Sequence, residues 1–135
     1  MLTNLAHVAL IVTDMEKSLD FYCGLLGLQK AFEIANDEDQ PWIVYLKIGN
    51  GQFIELFYHA NGPSVPNGGH AGYHHFCFAS DDIFAFAGLL HRRGLYLDKQ
   101  PALGKDGNYQ LWIKDPDGVD IEIMQIMPGS LQAKA

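Results

Sequence analysis

His7-Val8-Ala9-Leu10-Ile11-Val12-Thr13-Asp14 and His75-Phe76-Cys77-Phe78-Ala79-Ser80-Asp81-Asp82 decide the fold, because they are two editions of one pattern. Each begins with a histidine, runs through apolar residues and reaches an aspartate seven positions later. The match continues outward. Glu55 follows His7 by 48 residues and Glu122 follows His75 by 47. Lys47, Gly51 and Glu55 return as Lys114, Gly118 and Glu122 with unchanged offsets. An aromatic stands ten residues before each glutamate, Tyr45 and Trp112, and Gly27-Leu28 recurs as Gly94-Leu95. A repeated unit that cannot cover its own apolar face pairs with its copy. A pseudo-two-fold pairing would bring His7, Glu55, His75 and Glu122 together, and two imidazoles with two carboxylates suit a divalent metal.

The chain has 135 residues, 48% of them hydrophobic, which suffices for one compact domain. A net charge of −7 argues against nucleic acid and against an anionic membrane surface. No apolar run approaches the roughly 20 residues of a membrane span. No basic region precedes the first apolar run, so no signal peptide is expected. Cys23 and Cys77 read as separate thiols. Together these features predict a soluble, cytoplasmic protein.

Residues 5–12 read as a strand. Thr13-Asp14-Met15-Glu16 reads as a capping box with Thr13 as N-cap, opening a helix to Leu26 that Gly27 ends. Short strand 28–33, a polar loop at 36–41, strand 42–48, a Gly49-Asn50-Gly51 turn and strand 52–58 complete the first copy. The second copy gives a strand at 73–79, a helix from Asp81 or Asp82 through Arg93 and a stop at Gly94. A short strand at 96–99, a loop at 101–107 and a hairpin closed by Asp115-Pro116-Asp117-Gly118 follow. The expected fold is α+β: two tandem βαβββ modules forming a curved mixed sheet with helices on the outer face. One domain spans 1–127, as module 1–58, linker 59–72 and module 73–127. A frayed C-terminal tail occupies 128–135.

Alternation along strands puts His7 with Ala9 and Ile11, and His75 with Cys77 and Ala79. It puts Glu55 with Phe53 and Phe57, and Glu122 with Asp120 and Met124. The four candidate ligands therefore project from the face away from the helices. Two carboxylates pressed together repel unless a cation lies between them. His74 has the opposite parity and is expected toward the helix layer or the edge. His59 and His70 fall in the linker, His91 near a helix C-terminus and Lys105 in a loop, where solvation is the ordinary explanation.

The sequence resembles the vicinal oxygen chelate superfamily, the glyoxalase/bleomycin-resistance/dioxygenase fold. The likeness runs over residues 3–127. It rests on His7, Ser18-Leu19-Asp20-Phe21-Tyr22, Leu25-Leu26-Gly27-Leu28, Phe53-Ile54-Glu55-Leu56, Tyr73-His74-His75-Phe76 and Asp115-Pro116-Asp117-Gly118-Val119-Asp120-Ile121-Glu122. The His/Glu/His/Glu set is similar to that of short bacterial glyoxalase I enzymes. The resemblance implies a lactoylglutathione lyase-like lyase or isomerase. A divalent ion (nickel or zinc, with cobalt, iron or manganese as options) would hold vicinal oxygens of a small-molecule substrate and stabilise an enediolate. His7, Glu55, His75 and Glu122 would hold the ion, with Glu122 as base and Glu55 able to share that role. It also implies a homodimer, with His7 and Glu55 from one subunit and His75 and Glu122 from the other. Two positions depart from the glutathione-using pattern: Ile11 stands where an arginine is typical, and His59 where an asparagine is. Other activities of the same fold are a fosfomycin-type thiol transferase, a coenzyme A-ester epimerase and a metal-free bleomycin-resistance-type binding protein.

Overall fold

A computed structural model describes residues 1–49 and 51–135; the Asn50 position of the expected Gly49-Asn50-Gly51 turn lies outside the described residues. The chain divides into two compact units, Met1–Ser64 and Val65–Ala135. The first holds β1 (His7–Ile11), α1 (Met15–Leu19), a π-helical segment (Asp20–Leu25), β2 (Gln29–Ala35), β3 (Pro41–Gly49) and β4 (Gln52–Phe57). The second holds β5 (Phe76–Ala79), α2 (Ile83–Arg92), β6 (Ala102–Leu103), β7 (Tyr109–Lys114), β8 (Asp120–Gln125) and α3 (Leu131–Lys134).

Each unit builds a four-stranded mixed sheet, and the two orders correspond: β1-β4-β3-β2 and β5-β8-β7-β6. The α+β repeat read from the sequence is therefore realised as two sheets of one topology. In both, the first strand runs parallel to the last, which requires the intervening helix and strands as a crossover. The repeat holds at the level of register. Ala9 and Tyr45 flank Glu55, and Cys77 and Trp112 flank Glu122.

Alternation sorts the strands by face. In β4, Ile54 and Leu56 are fully buried, and in β8 Ile121 and Ile123 are at most 2% exposed. In the second unit α2 lies against β7 and β8, burying Ile83, Ala87 and Leu90 at the spacing of one helix face. The Gln125 side chain accepts from the Ile83 amide and ties the start of α2 to the sheet.

Several local expectations need correcting. The first N-cap is Asp14, whose carboxylate accepts from the Lys17 amide, and not Thr13. The corresponding cap in the second unit is Asp82, accepting from Ala85. The helix after Asp14 does not stay α-helical. From Asp20 it widens, with the Leu26 amide bonding to the Phe21 carbonyl five residues back. A wider turn separates adjacent side chains by a smaller angle, so Phe21 and Tyr22 are both buried. Gly27 and Gly94 end their helices at φ 85° and 92°, as C-terminal glycines do. The short strand expected at 96–99 is absent among the described residues, and β6 forms at 102–103 inside the expected loop. Strand β5 begins at Phe76, leaving residues 73–75 outside it.

The residues after 127 are held and not frayed. Ser130 caps α3, and the Leu131 amide bonds to the Asp106 carbonyl. Fully buried Asn108 donates to Asp106 Oδ2, the Met124 sulfur and Gln132 Oε1, and accepts from the Met127 amide. No helix among the described residues is long and apolar enough to cross a membrane.

Candidate active site

Each unit buries one glutamate among apolar strand residues and gives it a histidine. In the first, Glu55 is 6% exposed and its Oε1 lies 3.3 Å from His7 Nδ1. In the second, Glu122 is 5% exposed and its Oε2 lies 3.0 Å from His75 Nε2. The sequence pairing is thus realised within each module: His7 with Glu55, His75 with Glu122. The two pairs belong to separate units. Within either unit, the described residues gather no group of three or more His, Cys, Asp or Glu at metal-holding spacing.

The strands explain the placement. The exposure of β1 alternates, with His7, Ala9 and Ile11 open and Val8 and Leu10 half-buried. His7 aligns with Phe53, two residues before Glu55, so the imidazole reaches forward along the same face. His75 precedes β5, yet it reaches Glu122 in the same way.

Around each pair the surroundings differ. The Tyr45 hydroxyl hydrogen-bonds to Glu55, and that bond, with lesser contributions from burial and from the carboxylate charge, raises the phenol above its ordinary value. The Tyr45 ring stacks on Phe32 at 4.3 Å between centroids and meets Phe53 edge-on. In the second unit, Trp112 sets its ring edge-on to His75 at 4.6 Å. His75 Nδ1 lies 2.7 Å from His74 Nδ1. His74 is exposed and lies outside β5, so strand parity does not govern its placement. With Nε2–H given to Glu122, His75 Nδ1 accepts from His74 Nδ1–H. Cys77 is exposed as a residue, but loss of water around its sulfur, and then the Glu122 carboxylate, push its thiol up to about 12. A thiol so poised is almost wholly protonated at neutral pH and is no nucleophile.

Tyr45, Trp112 and His74 were not assigned a role from sequence alone. The first two carried a usable signal, since each stands ten residues before its glutamate; their rings lie directly across the strand pair from it. Of the remaining candidates, His91 packs its ring against Tyr96 in the last turn of α2, and Lys105 and His70 are exposed. His59 is exposed and takes a left-handed backbone at φ 73°. The Asp115 carboxylate accepts from the Asp117 and Val119 amides, which makes its segment a self-closed turn, as read from the sequence.

Each unit brings together one imidazole and one carboxylate, two donors of the types a divalent ion takes. Buried carboxylates need a compensating charge or hydrogen bonds.

Comparison with known proteins agrees with this frame. The chain is 30% identical over 126 residues to a probable lactoylglutathione lyase of Vibrio cholerae, covering 90% of each. It is 31% identical over 133 residues to the mitochondrial methylmalonyl-CoA epimerase of Homo sapiens, covering 92% of this chain and 74% of that one. Among solved structures, a glyoxalase family protein from Enterococcus faecalis superposes with a TM-score of 0.75 at 24% identity, covering 90% of this chain and 96% of that one. The profile of the Glyoxalase/Bleomycin resistance protein/Dioxygenase superfamily matches residues 4–123, and the chain belongs to that superfamily.

Proposed function

We propose that this chain is a metal-dependent lyase or isomerase of the glyoxalase I kind, which moves a proton between neighbouring carbons of a small substrate carrying vicinal oxygens. The single observation that carries the reading is the repeated buried glutamate, each with an imidazole at matched register. His7, Glu55, His75 and Glu122 are assigned to hold one divalent ion, nickel or zinc, in a homodimer. Bound there, the ion supplies electrostatic stabilisation of the negative charge that develops on the substrate oxygens.

The chain's own residues do the rest. Glu122 takes the proton from carbon at its carboxylate and returns it to the adjacent carbon. Glu122 is only 5% exposed, which limits competition from bulk water for that proton. His75 orients the carboxylate through the 3.0 Å contact at Oε2. Cys77, held protonated, adds no second base. Ile11 and His59 make glutathione itself the open part of the substrate question, since neither carries the side chain typical of glutathione users at its position.

The similarity to a methylmalonyl-CoA epimerase supports a second reading, in which the same carboxylate removes a proton beside a thioester carbonyl and inverts that carbon. Both reactions begin with loss of a carbon-bound proton. The test is solvent deuterium incorporation, with nickel or zinc added to protein purified without chelator or metal resin. Substrates are the methylglyoxal–glutathione hemithioacetal and a 2-methyl-branched coenzyme A thioester. Exchange with the hemithioacetal and formation of a thioester product support the first reading. Exchange with the coenzyme A ester alone moves the assignment to epimerase, and exchange with neither overturns both.

A further inference from the structure

Phe32 and Lys99 hold the same place in the two copies. Each stands five residues after its helix-ending glycine, Gly27 or Gly94, and thirteen before its aromatic, Tyr45 or Trp112. In the first unit Phe32 lies on β2, pairs with Tyr45 on β3 and stacks on its ring, with 4.3 Å between centroids and 21° between planes. In the second unit the strand beside β7 is cut to two residues, and β6 reaches only Tyr109 and Gln110. Among the described residues no strand residue pairs with Trp112 on that side. Where the first unit has a phenyl ring, the second has a cavity of about 340 Å³, lined by Trp112, Lys99, Asp98, Gln110, Leu103 and Leu111 among others. That volume lies at the small end of ligand pockets, roughly 300–1,000 Å³. Trp112 is 46% exposed, and among the described residues the one ring it meets is that of His75. The polar wall is set in place. The Gln110 amide donates to Asp106 Oδ1 at 3.3 Å, and its nitrogen lies only 2.5 Å from where a Cβ on Gly104 would stand.

We propose that this cavity is a binding subsite for a flat aromatic group with a polar edge, which stacks on Trp112 as Phe32 stacks on Tyr45. The first unit shows what such a space takes when the chain itself fills it. Lys99 and Asp98 present one charge of each sign, so recognition falls chiefly on the ring, and the Lys99 ammonium takes an acceptor at the ring's edge. Through Trp112 the subsite adjoins His75, whose imidazole meets Glu122. The aromatic group is then the part of the substrate remote from the reacting carbons. That placement rests on the proposed function; the binding itself does not.

The experiment follows the two indole N–H signals of the isotope-labelled full chain, without added metal, on titration with naphthalene-2-carboxylate. Trp42→Phe assigns the signals, since Trp42 and Trp112 are the chain's two tryptophans. The expected result is a saturable shift of the Trp112 signal with Trp42 unmoved. The decahydro acid keeps the charge and the bulk but not the flatness, and should bind about 3- to 10-fold more weakly. Lys99→Met removes the charge and should weaken binding about 2- to 5-fold. Lys99→Phe puts the first unit's own residue into the cavity and should abolish the shift. Lys99 is exposed, and an unfolding midpoint equal to the parent's serves as the folding control for both variants. No shift at Trp112, equal shifts of both indoles, equal affinity for the flat and the saturated acid, or unchanged affinity in Lys99→Phe each overturn this inference and leave the proposed function to its deuterium assay. Absence of exchange in that assay, with naphthoate bound at Trp112, overturns the catalytic reading and leaves the subsite standing.

Discussion

The two units share a frame and differ in its furnishing. Topology, the register of the first strand on the last and the burial of one glutamate are the same in both. Around Glu55 stand a phenol and a half-exposed imidazole; around Glu122 stand an indole edge, a protonated thiol and a His75 that is itself contacted by His74. The C-terminal residues add a second contrast, because only the second unit carries the Asn108 junction. A duplicated backbone thus repeats the positions of carboxylate and imidazole, while the substitutions that neighbour them set what each carboxylate can do. The register is fixed by backbone pairing, which tolerates many side chains; proton affinity and orientation are fixed by the few atoms in contact.

That contrast can be broken by exchange of single groups. The largest effect is expected from the two glutamates. Glu122→Gln should lower kcat by about 10²- to 10⁴-fold, as loss of a general base does, while Glu55→Gln should act chiefly on metal affinity. Equal and identical effects on both quantities would erase the functional difference between the units. Next comes Asn108→Ala. It leaves the Met127 amide, Asp106 and Gln132 without their partner, and should cost about 1–2 kcal/mol in urea unfolding. A loss under about 0.5 kcal/mol, the size of an ordinary surface change, would show that the junction contributes nothing to the second unit.

Smaller effects sharpen the same comparison. The Asn108 amide beside Asp106, together with lesser bonds from backbone amides and Gln110, holds the Asp106 carboxyl below the ordinary 3.8. A depressed acid stabilises the fold above its unfolded value and loses that contribution as pH falls through the folded value. Asp106→Asn should therefore be less stable than the parent at pH 6, and the gap should close as the pH drops below 3.8. A constant gap in thermal unfolding across that range would contradict the assignment. The thiols give the finest contrast. Burial raises Cys23 in the first unit, whereas the Glu122 carboxylate adds to loss of water at Cys77. Both should resist iodoacetamide at pH 8, because a raised thiol is protonated there. Glu122→Gln should quicken Cys77 alkylation and leave Cys23 unchanged, as followed by mass spectrometry of peptides.

Much of this was legible before any coordinates. The matched offsets announced the repeat, and strand parity placed His7, Glu55 and Glu122 on the open face of their sheets. Parity does not reach His74, since a period of two holds only inside a strand and β5 starts at Phe76. The tail was misread because its anchor, Asn108, is distant in sequence and gives no periodic signal. The same limit hid the width of the turn at Asp20–Leu25, where Phe21 and Tyr22 are both buried.

The sequence by itself determined the duplication and which histidine accompanies which glutamate, because these follow from spacing along the chain, and it carried the superfamily through the resemblance of its motifs. Only the tertiary structure decided that Glu55 has a phenol and Glu122 a thiol and an indole at its sides, and that the last residues are clamped by Asn108. Those relations join residues ten to nearly fifty positions apart through backbone pairing and side-chain reach, and beyond the ten-residue offset of Tyr45 and Trp112 no local pattern encodes them.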